Sequence, residues 1–207
     1  MDAKICGIKD PQTLKYIINH KYPPKFVGFI VNYKKSKRYI DYKKLKKLIR
    51  IKKKKVKFVA VLVNPNNYFL EKIKNLNFDY YQLYKVSPRK TKNIKKKYKM
   101  KIISTITVDK KNDVEKYKKY LAVSDIILFD SKGYEKSLSF NHRFLNNLTN
   151  IKTKMLAGNI KFNDKLDKYS KIADIIDISG SLETFGTKDI SKINFFLNNI
   201  NKTKNEN

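Results

Sequence analysis

The sequence is poor in the residues that bind metals or form covalent cross-links. Its 207 residues include a single cysteine, Cys6, and only two histidines, His20 and His142. One cysteine excludes an intramolecular disulfide and a zinc site built on several thiolates. The two histidines lie far apart, and neither has a second potential ligand at a spacing typical of metal sites. We therefore expect no metal ion.

Long apolar segments are also missing. No segment approaches the ~18 consecutive apolar residues that a membrane-spanning helix needs. The first residues are charged and contain no apolar stretch of signal-peptide length. These features favour a cytoplasmic protein without a membrane partner.

Acidic residues are scarce relative to basic ones. The chain has 18 Asp and Glu against 48 Lys and Arg, a net charge of +30, so a basic nucleic-acid-binding protein is one hypothesis. Lysine is scattered through most segments, however, and the clusters in "IRIKKKKVKF" and "RKTKNIKKKYKMK" each lie where a polar helix precedes an apolar strand. This distribution favours solvated helix faces, and the charge can steer an anionic small molecule to its site. We therefore expect no nucleic-acid partner, and a nucleic-acid-binding protein stays the alternative.

Short apolar segments alternate with longer amphipathic ones along the chain. The short segments are "AKICG", "FVGFIV", "VKFVAVLV", "YYQLY", "KIISTITV", "DIILFD", "KMLAG" and "IIDIS". Their near-continuous apolar character is typical of parallel strands buried on both faces. Helix starts are marked between them at Asp10-Pro11, Asp41 and Ser87-Pro88, where a capping side chain precedes the first turn.

Eight strand–helix units in about 200 residues are near the short limit for a closed (β/α)8 barrel. The predicted fold class is α/β, a (β/α)8 TIM barrel with a closed, parallel, eight-stranded sheet. An open doubly wound sheet is the alternative, because alternation alone does not distinguish a closed sheet from an open one. We expect a single domain over residues 1–199, since no linker or repeat divides the chain, and a frayed tail over residues 200–207.

Reactive side chains lie at the ends of the predicted strands, where (β/α)8 barrels build their active sites. Cys6 ends the first strand, directly before Gly7, and Asp130 ends the sixth. A carboxylic acid can donate a proton while a thiolate accepts one, so the two groups can divide acid and base work. Lys4 lies two residues before Cys6, on the same side of the strand, and is a candidate for stabilising the thiolate.

A series of short motifs extends from Lys4 to about Phe196. They are "KICGIKDP", "GFIVNYKKSKRYI", "VAVLVN", "DYYQLY", "ILFDSK", "SLSFNHRFL", "LAGN", "DISGSLET" and "GTKD". In these motifs and their order the sequence resembles the phosphoribosylanthranilate isomerase family, barrel enzymes of tryptophan biosynthesis. The resemblance implies an Amadori rearrangement of an aminoaldose phosphate to an aminoketose phosphate, with no cofactor and with the small molecule phosphoribosylanthranilate as substrate.

The same resemblance implies roles for individual residues. Cys6 is expected to be the general base and Asp130 the general acid. Arg38 of "SKRY" is expected to bind the planar carboxylate of the anthranilate ring with two parallel hydrogen bonds. Gln82 of "YQLY" is expected to line the substrate site. We expect a monomer rather than a homodimer.

The phosphate group is expected at the loops after strands 7 and 8, the recurrent phosphate position of (β/α)8 barrels. Small residues in these loops let backbone N–H groups approach an anion closely. The predicted phosphate-binding residues are Gly158, Asn159, Ser179, Gly180 and Ser181.

Three positions depart from the family pattern. Gly133 is the only glycine in the loop "KGYEKSLSFNH", which is glycine-rich in the family; Asn159 replaces a glycine, and Tyr84 replaces a frequent histidine. None of these changes removes the expected acid or base, so we expect activity. Another phosphosugar-binding barrel enzyme remains an alternative, although an imidazole-type substrate would call for paired aspartates and strand 1 ends in Cys6.

Overall fold

Eight parallel strands form a closed barrel, as the sequence predicted. In the computed structural model, which describes residues 1–132 and 139–205, each strand pairs with the next and the eighth pairs with the first. The strands are β1 (Asp2–Cys6), β2 (Phe26–Ile30), β3 (Lys57–Val63), β4 (Tyr80–Tyr84), β5 (Lys101–Val108), β6 (Ile126–Ser131), β7 (Lys154–Leu156) and β8 (Ile175–Ile178). The open doubly wound alternative is therefore wrong.

Helical segments connect the strands around the outside of the barrel. The α-helices are α1 (Pro11–Asn19), α2 (Tyr42–Leu48), α3 (Asn67–Ile73), α4 (Pro88–Tyr98), α5 (Lys111–Val114), α6 (Asp167–Ser170) and α7 (Ile190–Asn205). Glu115–Val123, His142–Leu145 and Gly180–Leu182 form 3-10 turns, and β9 (Glu183–Thr184) pairs antiparallel with β10 (Thr187–Lys188). Asp10, Asp41 and Ser87 each accept a hydrogen bond from a first-turn backbone N–H, as predicted.

Apolar side chains pack in two layers on either side of the sheet. One layer lies between strands and helices and joins residues such as Ile5 of β1 and Leu14 of α1. The other includes Phe26, Val59 and Met155, which occupy alternate strand positions and fill the barrel interior. The barrel therefore has a packed centre and is not an open pore.

The C-terminal residues continue a helix, so the prediction of a frayed tail over residues 200–207 is wrong for the described part of that segment. Helix α7 extends to Asn205, and Ile200 and Thr203 are buried. Ile193, Phe196 and Ile200 lie at i, i+3 and i+7 and share one face packed on the core. The polar residues of "INKTKNEN" led to the prediction of a frayed tail, although Ile200 completes the apolar stripe of an amphipathic helix.

The loop with Gly133 as its only glycine falls on residues 133–138, which lie outside the described residues. Within the described ranges, none of the helices is both long enough and apolar enough to cross a bilayer.

We expect Ile200→Ala to lower the free energy of unfolding by about 2–5 kcal/mol, because it removes buried methyl groups and leaves a cavity. Lys202→Ala, at an exposed position of the same helix, should change it by less than about 0.5 kcal/mol. Urea denaturation followed by circular dichroism measures both values. Equal effects of the two substitutions would show that α7 does not pack on the barrel.

Candidate active site

A cavity of about 390 Å³ opens at the carboxyl ends of the barrel strands. Cys6, Arg38 and Asp130 line it, as do all five residues predicted to bind phosphate. The thiol and the carboxyl group therefore face one compartment. Of the residues predicted for the site, only Gln82 is absent from the cavity wall.

Two glycines provide the space in which the Cys6 thiol and the Arg38 side chain lie. Gly7 has a φ of +77°, and a Cβ there would lie 2.6 Å from Cδ of Arg38. On the neighbouring strand, a Cβ at Gly28 would lie 2.9 Å from the Cys6 sulfur. Any larger residue at either position would displace a side chain of the site.

A buried ion pair lies beside Cys6 in the barrel interior. Lys4 faces Asp177 across the β1–β8 pairing, and Lys4 Nζ donates to Asp177 Oδ2 at 2.7 Å. Both side chains are buried, and no partner within the described residues reaches Asp177 Oδ1, although Asp177 lines the cavity. Asp177 therefore keeps one buried carboxylate oxygen without a hydrogen-bond donor among the described residues.

Burial raises the pKa of the Cys6 thiol above its ordinary value. The Lys4 ammonium acts in the opposite direction, through its charge and a hydrogen bond to the thiol, while the Asp177 carboxylate adds to the rise. The sequence correctly placed Lys4 beside Cys6, but its charge does not overcome desolvation. In the free site at neutral pH, Cys6 is a thiol.

Asp130 is a partly buried carboxyl group with a hydrogen bond to each oxygen. Its Oδ1 accepts from the Ser131 backbone N–H at 2.8 Å, and its Oδ2 accepts from the Tyr84 hydroxyl at 2.7 Å. Burial raises the pKa of Asp130 to about 6, against the opposing effect of the Tyr84 hydrogen bond. The carboxyl group can therefore exchange a proton close to neutral pH.

Gln82 lies behind the site rather than in its wall, so the expectation that it lines the substrate site needs correction. Its side chain is fully buried, and its Nε2 donates to the Tyr84 hydroxyl at 3.1 Å. Because Tyr84 is two residues further along the same strand, it points to the same face and covers Gln82 from the cavity. Gln82 therefore reaches Asp130 only through Tyr84.

Arg38 is held by a carboxylate that the sequence reasoning missed. Its Nε and Nη2 donate to Glu183 Oε1 and Oε2 at 2.6 and 2.9 Å, a bidentate pair. Lys188 Nζ donates to the same Glu183 Oε1 at 2.8 Å and to the Ser179 backbone carbonyl at 2.9 Å. The β9–β10 hairpin thus fixes the guanidinium beside the cavity.

The two loops after β7 and β8 both line the cavity. Gly158 and Asn159 have φ values of +94° and +53°, and a Cβ at Gly158 would lie 3.1 Å from Ser131. Within the described residues, the backbone N–H groups of Gly158, Asn159, Gly180 and Ser181 find no acceptor. Such unpartnered N–H groups on small residues are suited to an anion.

Side chains behind these loops hold them in position. His142 Nε2 donates to the Gly158 carbonyl at 3.1 Å and so links the loop after β7 to the segment His142–Leu145. The Ser179 hydroxyl donates to the Cys6 carbonyl at 2.9 Å and so links the loop after β8 to the end of β1. The side chains of His142 and Ser179 therefore hold these loops in place.

Asp177, Glu183 and Lys188 were not identified as site residues from the sequence. A charged residue inside the apolar strand "IIDIS" was the available signal for Asp177. Glu183 and Lys188 flank a short turn and carried no comparable signal. Across the part of the chain that the structure describes, no group of three or more His, Cys, Asp or Glu side chains is placed to hold a metal ion.

The fold and the cavity define this protein as a (β/α)8-barrel enzyme, with its reactive side chains at the carboxyl ends of the strands. The sequence model of the family described as N-(5'-phosphoribosyl)anthranilate (PRA) isomerase matches residues 3–199. The chain belongs to this family of isomerases.

Relatives and solved structures of the same family match nearly the whole chain. The N-(5'-phosphoribosyl)anthranilate isomerase of Agrobacterium fabrum is 30% identical, covering 97% of this chain and 94% of that protein. The enzyme of Clostridium acetobutylicum is 31% identical, with 97% and 98% covered. A crystal structure of phosphoribosyl anthranilate isomerase from Thermotoga maritima superposes with a TM-score of 0.86 at 23% identity, covering 98% of this chain and 99% of that one.

Because Cys6 is the single cysteine, alkylation with iodoacetamide reports on this thiol alone. We expect its rate to rise through a midpoint above the ordinary thiol value of about 8.5. Lys4→Met should move the midpoint further up, because the ammonium that favours the thiolate is lost, whereas Lys25→Met, in an exposed pair with Asp2, should not move it. Circular dichroism confirms that the variants are folded. A midpoint below 8.5, or no response to Lys4→Met, would contradict this interpretation.

Proposed function

We propose that this chain is an N-(5'-phosphoribosyl)anthranilate isomerase that forms 1-(2-carboxyphenylamino)-1-deoxyribulose 5-phosphate by an Amadori rearrangement. The observation that carries the proposal is one cavity shared by a thiol, a carboxyl group, a guanidinium and two loops with unpartnered N–H groups. A family structure with a TM-score of 0.83 to this chain holds reduced 1-(o-carboxyphenylamino)-1-deoxyribulose 5-phosphate, and this also supports the proposal.

The first step is opening of the furanose ring by Asp130. As the bond between C1′ and the ring oxygen breaks, the oxygen takes a proton from the Asp130 carboxyl group. The lone pair of the anthranilate nitrogen forms the C=N bond of a protonated Schiff base. A buried carboxyl group with a raised pKa is suited to this donation, because it can hold a proton near neutral pH.

The second step is removal of the C2′ proton by the Cys6 thiolate. The electrons of the C–H bond form a C1′=C2′ double bond, and those of the C=N bond return to nitrogen. The resulting enolamine then ketonises to the aminoketose. Acidification of C2′–H by the adjacent iminium makes a thiolate a sufficiently strong base.

At a pH between the pKa of Asp130 and the raised pKa of Cys6, the two groups together hold one proton. In the free site that proton is on sulfur, whereas the reaction uses it on Asp130. The reactive form of the site, with Asp130 protonated and Cys6 ionised, has the same net charge as the free form. The two forms differ only in which group holds the proton. Activity should therefore fall at low pH, where both groups are protonated, and at high pH, where neither is.

Arg38 supplies the contact for the substrate's aromatic carboxylate. Glu183 occupies the Nε–Nη2 edge of the guanidinium, and Nη1 makes no hydrogen bond with the described residues. A planar guanidinium has a second pair of parallel N–H groups at its Nη1–Nη2 end, which matches a carboxylate. Glu183 thus orients Arg38 without using the end that binds substrate.

The phosphate is held by the loops after β7 and β8. The N–H groups of Gly158, Asn159, Gly180 and Ser181 supply the hydrogen bonds, and Lys161, which also lines the cavity, supplies positive charge nearby. The surrounding excess of lysine increases the rate at which an anionic substrate reaches this end of the barrel.

Cys6→Ser and Asp130→Asn should each lower turnover of phosphoribosylanthranilate by at least about a hundredfold, because each removes one proton-transfer group. The loss of substrate fluorescence measures turnover. Asp109→Asn, at an exposed position outside the cavity, is the matched control and should keep wild-type activity. Wild-type turnover by either site variant would refute the role of that residue. Turnover of an imidazole-type phosphosugar in place of phosphoribosylanthranilate would refute the proposed substrate.

Arg38→Lys should raise KM for phosphoribosylanthranilate about tenfold or more and change kcat less, because an ammonium cannot make the bidentate contact. Arg50→Lys makes the same change at an exposed position and should leave both constants unchanged. Steady-state kinetics at several substrate concentrations separate the two constants. A loss confined to kcat would place Arg38 in the chemical step instead of in carboxylate binding.

A further inference from the structure

We propose that Tyr84 is a positioning residue that fixes the orientation of Asp130 and sets its acid strength, with Gln82 holding the phenol from behind. The inference rests on the proposed function, in which Asp130 is the proton donor. Tyr84 is the last residue of β4, and its phenol reaches Asp130 on β6.

The direction of each hydrogen bond in this chain of three side chains follows from their chemistry. An ionised carboxylate can only accept, so the single phenolic proton of Tyr84 is donated to Asp130 Oδ2, at 2.7 Å. The oxygen of Tyr84 is then available only as an acceptor towards Gln82. Gln82 must therefore present its Nε2 group, 3.1 Å away, which fixes the orientation of its amide.

The arrangement leaves Asp130 one productive orientation. Its Oδ1 is held by the Ser131 backbone N–H and its Oδ2 by Tyr84, so rotation of the carboxyl group would break both bonds. Tyr84 is itself buried and lies in the interior cluster with Cys6, which restricts its ring. Gln82 is fully buried beneath it. The packing of Tyr84 and Gln82 in the barrel interior therefore fixes the position of the Asp130 carboxyl group.

Tyr84 also acts on the charge of Asp130. A donor to the carboxylate stabilises the ionised form, which is the form produced when the proton has passed to substrate. The charged groups that face Asp130 from other strands are Asp177 of β8, which disfavours its ionisation, and Lys4 of β1, which favours it. Tyr84 faces the same Asp177 and also Cys6, and burial keeps its own pKa well above the ordinary value. The phenol therefore stays a donor over the working pH range.

Tyr84→Phe removes the hydroxyl and keeps the ring, so it tests the proposal with little change in packing. The pKa of Asp130 is measured without substrate by NMR of carboxyl-13C aspartate, with Asp130→Asn to assign the signal. We expect Tyr84→Phe to raise the midpoint by about one unit, since it removes one hydrogen bond to a carboxylate. The low-pH limb of kcat/KM should move up by the same amount.

Tyr81→Phe is the matched control. It removes a phenolic hydroxyl from the same strand, and that hydroxyl has no partner within the described residues. The Asp130 midpoint and the low-pH limb should stay at their wild-type values. An unchanged midpoint in Tyr84→Phe, or an equal shift in Tyr81→Phe, would overturn the inference.

The two measurements separate this inference from the proposed function. The NMR titration uses free protein, so a shifted midpoint supports the Tyr84–Asp130 link even if phosphoribosylanthranilate is not turned over. Failure of the wild-type protein to turn over that substrate would overturn the proposed function alone. Normal wild-type turnover with an unshifted midpoint in Tyr84→Phe would overturn the role of Tyr84 alone.

Discussion

The pairing of β1 with β8 closes the barrel and, by the same register, joins two buried charges. Lys4 lies opposite Asp177, so an ammonium and a carboxylate 173 residues apart in sequence meet at 2.7 Å in the interior. Removing one partner of such a buried pair typically costs about 3–5 kcal/mol, because the other charge is left uncompensated. Closure of the sheet therefore compensates both charges, and a shift of register by one residue would separate them.

This ion pair begins a line of alternating charges that reaches the cavity. Beyond Asp177 lie Lys188, Glu183 and Arg38, and Glu183 bridges the two cations on either side of it. Within this line the cations outnumber the anions by one, although most of its groups are buried. A phosphorylated, carboxylate-bearing ligand would meet a prearranged positive field there, without the cost of reorienting surface lysines.

The thiol and the carboxyl group of the site have different surroundings, and these separate their acid–base behaviour. Desolvation acts on both groups and raises both pKa values. Asp130 has two hydrogen-bond donors that partly offset the effect, whereas Cys6 has the Lys4 ammonium, whose charge is shared with Asp177. The spacing of the two pKa values therefore depends on the side chains around the two groups, among them Lys4 and Tyr84.

The local signals in the sequence were sufficient for the order of the elements. The eight apolar strands, the caps at Asp10, Asp41 and Ser87 and the placement of Cys6 and Asp130 at strand ends follow from periodicity and turn chemistry, which depend on near neighbours. Closure of the sheet did not follow from alternation, which left an open sheet possible; the count of eight units favoured a closed one. The last turn of α7 was missed because its one apolar residue, Ile200, is not by itself a helix signal. Its role is visible only in the folded protein, where it packs on the core.

The sequence by itself determined which side chains are available and which end of each strand carries them. Tertiary structure decided which of them meet: Asp177 with Lys4, Glu183 with Arg38, and Tyr84 between Gln82 and Asp130. The contacts Lys4–Asp177, Arg38–Glu183 and Tyr84–Asp130 join residues 46 to 173 positions apart, so no local pattern encodes them. Burial, which sets the acidity of Cys6 and Asp130, is likewise a property of the closed barrel and not of either residue's neighbours in the chain.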